Sequence, residues 1–214
     1  MDGGNRRMKT PKISEAVVRR LPIYLRFLNE LNVKNVHTVS SQDLGQKLDL
    51  NPAQIRKDLA YFGEFGKKGI GYDVGYLIEK IRQILKLDKL IPVALVGTGN
   101  LGRALSNYNA YMHDNMKIVA VFDADERKIG GSLNNLTVQP MRELGEAIRK
   151  HQVRIGIITV PAAEAQNVAN QFVEAGVEGI LNFAPIIIKV PLTVRVHHAD
   201  LTAELQSLAY YLEK

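Results

Sequence analysis

The sequence predicts an α/β fold in two parts, a helical one followed by a parallel-stranded one. Three observations carry that prediction. Two short helices lie in tandem at residues 41–62, the second capped and basic on its outer face. A glycine-rich ribbon pattern bearing Lys67 and Lys68 follows. An apolar run of strand length, Leu90 to Val96, then leads at once into Gly97-Thr98-Gly99-Asn100-Leu101-Gly102 and a helical stretch. The first two describe a winged helix-turn-helix domain over 13–89, and the third a Rossmann-like parallel α/β domain over 90–199, with a C-terminal helix over 200–214.

The composition agrees with that division. The chain has 214 residues, 46% hydrophobic and 23% charged, enough for one or two ordinary cores. No apolar run approaches the ~18 residues of a membrane span. Residues 1–12 carry Arg6, Arg7, Lys9 and Lys12 with no apolar stretch behind them. They read as a flexible basic arm rather than a secretory signal, and a cytoplasmic protein is expected. The absence of cysteine excludes disulfides, thiolate zinc sites and thiol-based redox sensing, so any redox role needs a bound cofactor. Of the 28 basic residues 17 lie in residues 1–90, against 10 of the 22 acidic ones. That excess marks the first half as the part that meets a polyanion, because Lys and Arg displace counterions from phosphates.

In the first half, Val17, Leu21, Leu25, Leu28 and Leu31 recur at helical spacing after Ser14, with Arg19, Arg20, Arg26 and Glu30 between them. Pro22 falls inside this helix, which either bends there or begins as a separate piece. Ser40 or Ser41 is placed to cap a short helix through Leu48, burying Leu44 and Leu48, with Gly45 permitting close approach. After the Asp49-Leu50 connection, Asn51 suits an N-cap, Pro52 the first helical position and Gln54 a capping box, so a helix runs to about Phe62. Ile55, Leu59 and Phe62 share its inner face. Gln54, Arg56, Lys57 and Tyr61 point elsewhere and are the candidates for contact with DNA. A plain helical hairpin is the alternative, against which the capping and the charge excess weigh. In the ribbon, Phe65, Ile70, Tyr72 and Val74 alternate with polar or small residues, and Lys67 and Lys68 sit at the tip for phosphate contact. Leu77, Ile81, Ile84 and Leu85 mark a closing helix.

In the second half the order strand, glycine turn, helix gives the three glycines separate roles. They allow a tight turn, close approach of a pyrophosphate, and close helix–strand packing. The helix N-terminus adds free N–H groups and a positive dipole end. A second strand, Lys117 to Phe122, ends in Asp123, 21 positions after Gly102, where a ribose-reading carboxylate belongs. A carboxylate accepts from a ribose 2′-OH and repels a 2′-phosphate, which favours NAD over NADP. Arg127 and Lys128 line the adenine end or face solvent. Strand Val153 to Val160, helix Glu164 to Glu174 stopped by Gly176, and strand Gly179 to Phe183 continue the βαβ alternation. Val160, Pro161, Asn182, Phe183, Ala184 and Pro185 emerge at the strand ends as candidate nicotinamide walls. An apolar wall penalises the charged oxidised ring more than the neutral reduced one, so NADH is expected to bind more tightly than NAD+. After strand Val194 to His198, Asp200 precedes a helix with Leu201, Leu205, Leu208 and Leu212 on one stripe. That stripe covers its own domain or a partner subunit, and a reader of two-fold DNA favours the partner.

A dehydrogenase would need an acid or base beside the nicotinamide and a second region to hold substrate. No such constellation is visible around the five histidines, and no metal-ligand spacing appears. No enzyme activity and no metal are therefore expected. A small oxidoreductase with a basic accessory domain and a sensor of another nucleotide, such as coenzyme A, are the alternatives.

Five segments in order, Arg56 to Gly63, Gly66 to Tyr72, Gly97 to Gly102, Gly179 to Pro185 and Asp200 to Leu205, closely resemble the Rex family of redox-sensing transcriptional repressors. The resemblance spans Ile13 to the end. It implies a homodimer with a C-terminal helix exchanged between subunits, bound to palindromic operator DNA and released when NADH accumulates relative to NAD+. It further implies that Gly97 to Gly102 hold the pyrophosphate and Asp123 the adenosine ribose. Tyr108, also expected at the cofactor, would with Arg26 and Asp200 couple the nicotinamide site to DNA binding.

Overall fold

A computed structural model of the chain describes residues 13–61, 66–67, 71–107 and 115–212. They form two compact units divided between Asp88 and Lys89. The expected arm at 1–12, Phe62, Lys68 and Tyr108 lie outside the described residues, and of Lys67 only the backbone is described.

The first unit comprises α1 (Glu15–Val33), β1 (Thr38–Val39), α2 (Ser41–Leu48), α3 (Pro52–Ala60), β2 (Gly66–Lys67), β3 (Gly71–Asp73) and α4 (Val74–Ile84). Its core packs Val17, Leu21, Tyr24, Leu25 and Leu28 of α1 with Leu44, Ile55, Leu59, Leu77 and Ile81 from the other three helices. Helix α1 runs unbroken through Pro22. Val18, whose carbonyl loses its partner at Pro22, and Pro22 itself are exposed, so water can take the place of the missing N–H. Ser40 caps α2 in a reciprocal box, its Oγ accepting from Asp43 N at 3.0 Å while Asp43 Oδ2 accepts from Ser40 N at 3.1 Å. Asp49 then turns left-handed at φ 53°, and Asn51 caps α3 by accepting from Ala53 N at 2.8 Å. The capping box expected of Gln54 is not made, because its amide points along the helix to Asp58 instead. Strands β1, β3 and β2 form a small antiparallel sheet, with Gly66 opposite Tyr72 and Lys67 opposite Gly71 in the wing. Val74, expected to continue the ribbon, is instead the buried first residue of α4, because Asp73 caps that helix by accepting from Tyr76 N at 2.7 Å.

The second unit holds β4 (Ile91–Val96), α5 (Asn100–Asn107), β5 (Met116–Asp123), β6 (Ser132–Leu133), β7 (Leu136–Pro140), α6 (Leu144–Lys150), β8 (Ile155–Ile158), α7 (Ala162–Glu174), β9 (Gly179–Asn182), β10 (Arg195–His198) and α8 (Leu201–Ala209). The strand order is β10-β9-β8-β4-β5-β7-β6. Every pairing is parallel except β6 with β7. The chain runs outward from β4 through β5 to β7, then returns to lay β8, β9 and β10 on the other side, so the crevice at the carboxyl end of β4 lies at a topological switch point. Alternate residues of β4 serve opposite faces: Ala94 and Val96 pack with α6 and α7, Val93 and Leu95 with Leu105 of α5. In α8 no residue is buried; Leu201, Leu205 and Leu208 are 64%, 67% and 59% exposed, and Leu212, expected on the same stripe but lying past the end of the helix, is 80% exposed.

A Cβ at Gly45 would lie 2.6 Å from Leu50 O and 2.9 Å from Pro52 Cγ, inside the α2–α3 turn. Gly45→Ala is expected to destabilise the first unit by about 1–3 kcal/mol, measured by urea unfolding.

Candidate functional site

The turn from β4 to α5 is built around its glycines. Gly97 has φ 101°, and a Cβ there would stand 2.7 Å from Thr159 O. A Cβ on Gly102 would run into the carbonyl of Gly97, so only a bare backbone lets α5 sit this close to β4. At Gly99 a Cβ would meet nothing within 4 Å, because this residue faces the crevice. Arg103 N donates to Gly99 O at 2.9 Å, so α5 starts here and its first-turn N–H groups have no helical acceptor. Thr159 closes the base, its Oγ1 donating to Gly97 O at 2.7 Å.

Beside this turn lies a cavity of about 620 Å³, a volume in the range of cofactor pockets. Of the residues expected at the cofactor, Gly97, Gly99, Leu101, Asp123, Val160, Pro161, Phe183, Ala184 and Pro185 line it. Asn100 is exposed at the start of α5, while Thr98, Gly102 and Asn182 are buried behind the wall. Asn182 ties the wall together: its amide nitrogen donates to Ala184 O at 3.1 Å and Ile186 O at 2.8 Å, and its oxygen accepts from Ala184 N at 3.0 Å. The wall also includes residues that the strand ends alone do not single out, Thr159 and Met141, and a polar row on α7, Glu164, Asn167 and Gln171. Helical spacing from Glu164 is the signal in the sequence for that row.

Asp123 is 8% exposed and accepts from the glycine turn and from the loop that follows β5. Its Oδ2 takes Thr98 N at 2.8 Å, Thr98 Oγ1 at 2.6 Å and Lys128 Nζ at 3.0 Å, and its Oδ1 takes Asp125 N at 3.0 Å. Burial pushes its pKa up, but these hydrogen bonds outweigh burial and hold the carboxyl well below the usual carboxylate range. Oδ1 keeps one acceptor position on an otherwise saturated group, and Asp123 lines the cavity. Lys128, which the sequence places at the adenine end or in solvent, both lines the cavity and pairs with Asp123.

In the first unit, Arg56 and Lys57 are exposed on α3, Arg56 donating to Ser41 Oγ at 2.9 Å, and Tyr61 at its end is 39% exposed. Gln54 is half-buried and donates to Asp58 Oδ1 at 2.7 Å. Arg26 is exposed on α1. Asp200 caps α8, its Oδ1 accepting from Thr202 N at 2.9 Å and Ala203 N at 3.2 Å. Among the described residues there is no cluster of three metal-ligating side chains, and no helix is long and apolar enough to cross a membrane.

A helix-turn-helix with a wing on one unit and a dinucleotide-type crevice on the other define a nucleotide-responsive DNA-binding protein. Comparison with known proteins makes the class specific. Residues 12–60 match the family model described as a putative DNA-binding protein N-terminus, and residues 88–186 the CoA binding domain. The redox-sensing transcriptional repressor Rex of Brevibacillus brevis is 61% identical over 204 residues, covering 95% of this chain and 99% of that protein. Rex of Chloroflexus aurantiacus is 48% identical over 200 residues, 94% of each chain. The crystal structure of RSP in complex with β-NAD+ and operator DNA superposes with a TM-score of 0.87 at 36% identity, covering 94% of this chain and 92% of that one. That of RSP with β-NADH does so at 0.84 and 35% identity, covering 94% of both. The chain belongs to the Rex family of redox-sensing transcriptional repressors.

The glycine geometry and the buried carboxylates each set a stability. Gly102→Ala is expected to lower the stability of the second unit by about 1–3 kcal/mol, whereas Gly99→Ala leaves its urea midpoint unchanged. Asp123 and Asp58 are both held below the usual carboxylate range. The stability each contributes is therefore complete above about pH 4 and is lost as pH falls through the folded-state value. Urea midpoints measured against pH should drop on that acid limb, and Asp123→Asn should flatten the drop for the second unit.

Proposed function

We propose that this chain is a repressor that binds a palindromic operator as a homodimer and releases it when NADH occupies the cavity of the second unit. The observation that carries this reading is the conjunction of open space at Gly99, free N–H groups at the start of α5 and an ionised Asp123 around one cavity. The residues present fit a dinucleotide. Within the Gly97 to Gly102 turn, the N–H groups of Gly97 and Thr98 are held by Phe122 O and Asp123 Oδ2, so those of Gly99 to Gly102 would hold the pyrophosphate, and the remaining lone pair on Asp123 Oδ1 would accept from the adenosine ribose. Lys128 stands ready to donate to the same ribose. Val160, Pro161, Phe183, Ala184 and Pro185, braced by Asn182, would form the nicotinamide wall.

When bound, the coenzyme supplies the signal, a ring that is charged when oxidised and neutral when reduced. The wall is mostly apolar, so it disfavours the charged ring. Driving a dimer from about 99:1 to about 1:99 between its DNA-competent and released shapes requires a preference of about 5.5 kcal/mol, roughly half from each subunit. Tyr108, Arg26 and Asp200 are the proposed link from cofactor to reader, an Arg–Asp pair that forms in one shape only. On DNA, Arg56, Lys57 and Tyr61 present the outer face of α3 to the major groove, and Lys67 and Lys68 in the wing hold the backbone. The exposed leucine stripe of α8 fits burial against a second subunit. A repressor of this kind works in the cytoplasm.

Calorimetry against NADH, NAD+, NADPH and coenzyme A tests the ligand. NADH should bind most tightly, NADPH at least ten-fold more weakly, and Gly99→Val should abolish binding while leaving the protein folded; tighter coenzyme A than NADH, or equal NADH and NAD+, overturns the reading. The link has its own test, in which the cap on α8 matters. Asp200→Ala removes both cap and charge, whereas Asp200→Asn keeps the cap and removes only the charge. In a gel-shift titration both variants should hold DNA at NADH concentrations that release the wild type; normal release by Asp200→Asn would exclude charge pairing.

A further inference from the structure

The recognition helix carries a charge where its core face should be apolar. Asp58 lies on the same side of α3 as Ile55 and Leu59 and is fully buried. Its four acceptor positions are all taken. Oδ2 accepts from Arg20 Nε at 2.6 Å and Tyr24 Oη at 2.7 Å, and Oδ1 accepts from Arg20 Nη2 at 2.8 Å and Gln54 Nε2 at 2.7 Å. Arg20 and Tyr24 belong to α1, one turn apart, and Gln54 precedes Asp58 by one turn of α3. A leucine at this position would join the neighbouring core without desolvating a charge, so the carboxylate is a poor choice for stability alone. What it adds is direction. Apolar contacts such as Ile55 and Leu59 tolerate sliding and small rotations, whereas a two-point guanidinium–carboxylate contact fixes both position and angle.

Arg56 and Lys57 are exposed on the same short helix and Tyr61 at its C-terminal end, so the rotation of α3 that Asp58 permits is the rotation at which those side chains are presented. We propose that Asp58, clamped by Arg20, Tyr24 and Gln54, is the positioning residue for DNA recognition, and that Gln54 serves this clamp rather than reading a base. The proposal rests on the reading of α3 as the recognition helix. It reassigns Gln54, which sequence position alone places among the base-contacting residues.

The clamp makes a distinction that a general loss of stability does not. Phosphate contacts that hold non-specific DNA tolerate a small change in helix angle, but base-edge contacts do not. Tyr24→Phe removes one hydrogen bond to the carboxylate and leaves the ring in the core. Gln54→Ala removes another without leaving a buried group unpaired. The probe is a duplex that the wild-type protein selects from a randomised library, together with its single-base-pair variants and an unrelated duplex, all read by fluorescence anisotropy with a thermal melt alongside.

Each substitution should weaken the selected duplex roughly ten-fold, the size of one hydrogen bond to a charged group. Affinity for the unrelated duplex should be unchanged, and the order of preference among the base-pair variants should be preserved. Because both act through one carboxylate, the double variant should lose less than the product of the two single losses. Wild-type affinity in both variants, equal loss on specific and unrelated DNA, or a preference altered by Gln54→Ala at one base pair would overturn the proposal. If the wild type selects no duplex, the DNA-binding reading fails instead. Should Tyr24→Phe lower the melt, Gln54→Ala alone decides.

Discussion

The turn between β4 and α5 has no room for a side chain at Gly97 or Gly102, and the sensing half of the molecule follows from that. With the helix pressed against the strand end, Gly99 and Leu101 at its start line the crevice, where the first-turn N–H groups have no helical acceptor. The sheet supplies the rest. Because the chain reverses direction across β4, the loops after β4, β5, β8 and β9 diverge around one cavity, and the same crossing that lets α5 approach leaves space for a ligand. Thr159, from the neighbouring strand end, bonds the carbonyls of Val96 and Gly97 and so fastens the two sides of the crevice together.

Each unit also contains a buried carboxylate, and each one aims a functional element. Asp123 binds both the N–H and the hydroxyl of Thr98, which holds the glycine turn open, and spends most of its acceptor capacity doing so. Asp58 binds three side chains and thereby orients α3. Burying a charge in either place is unfavourable unless every lone pair is matched, and in both cases most or all are. The functional gain is rigidity where a ligand or a base edge has to be met at a set distance.

Much of this is legible in the sequence because it is local. The period of Val17, Leu21, Leu25 and Leu28 marks α1, the Asn51-Pro52 pair marks the start of α3, and a strand followed by Gly97 to Gly102 marks the crevice. Asp123 is legible from its distance along the chain. The elements that escape are short or depend on remote partners. The β6–β7 hairpin has strands of 2 and 5 residues joined through Asn134 and Asn135, both at positive φ, a turn whose only signal is the asparagine pair. Asp58 finds Arg20 and Tyr24 at 38 and 34 residues' separation, so no window along the chain shows the clamp. Position along the chain puts Gln54 and Asn182 at surfaces, but both amides turn inward because an unsatisfied acceptor lies within reach.

The central claim is that the redox state of a nicotinamide coenzyme decides whether the reader holds DNA. Fluorescence anisotropy of a labelled, protein-selected operator duplex tests it directly, with total NADH plus NAD+ held constant while the reduced fraction is raised. Bound duplex should fall cooperatively as NADH replaces NAD+. A flat signal across the whole range would contradict it.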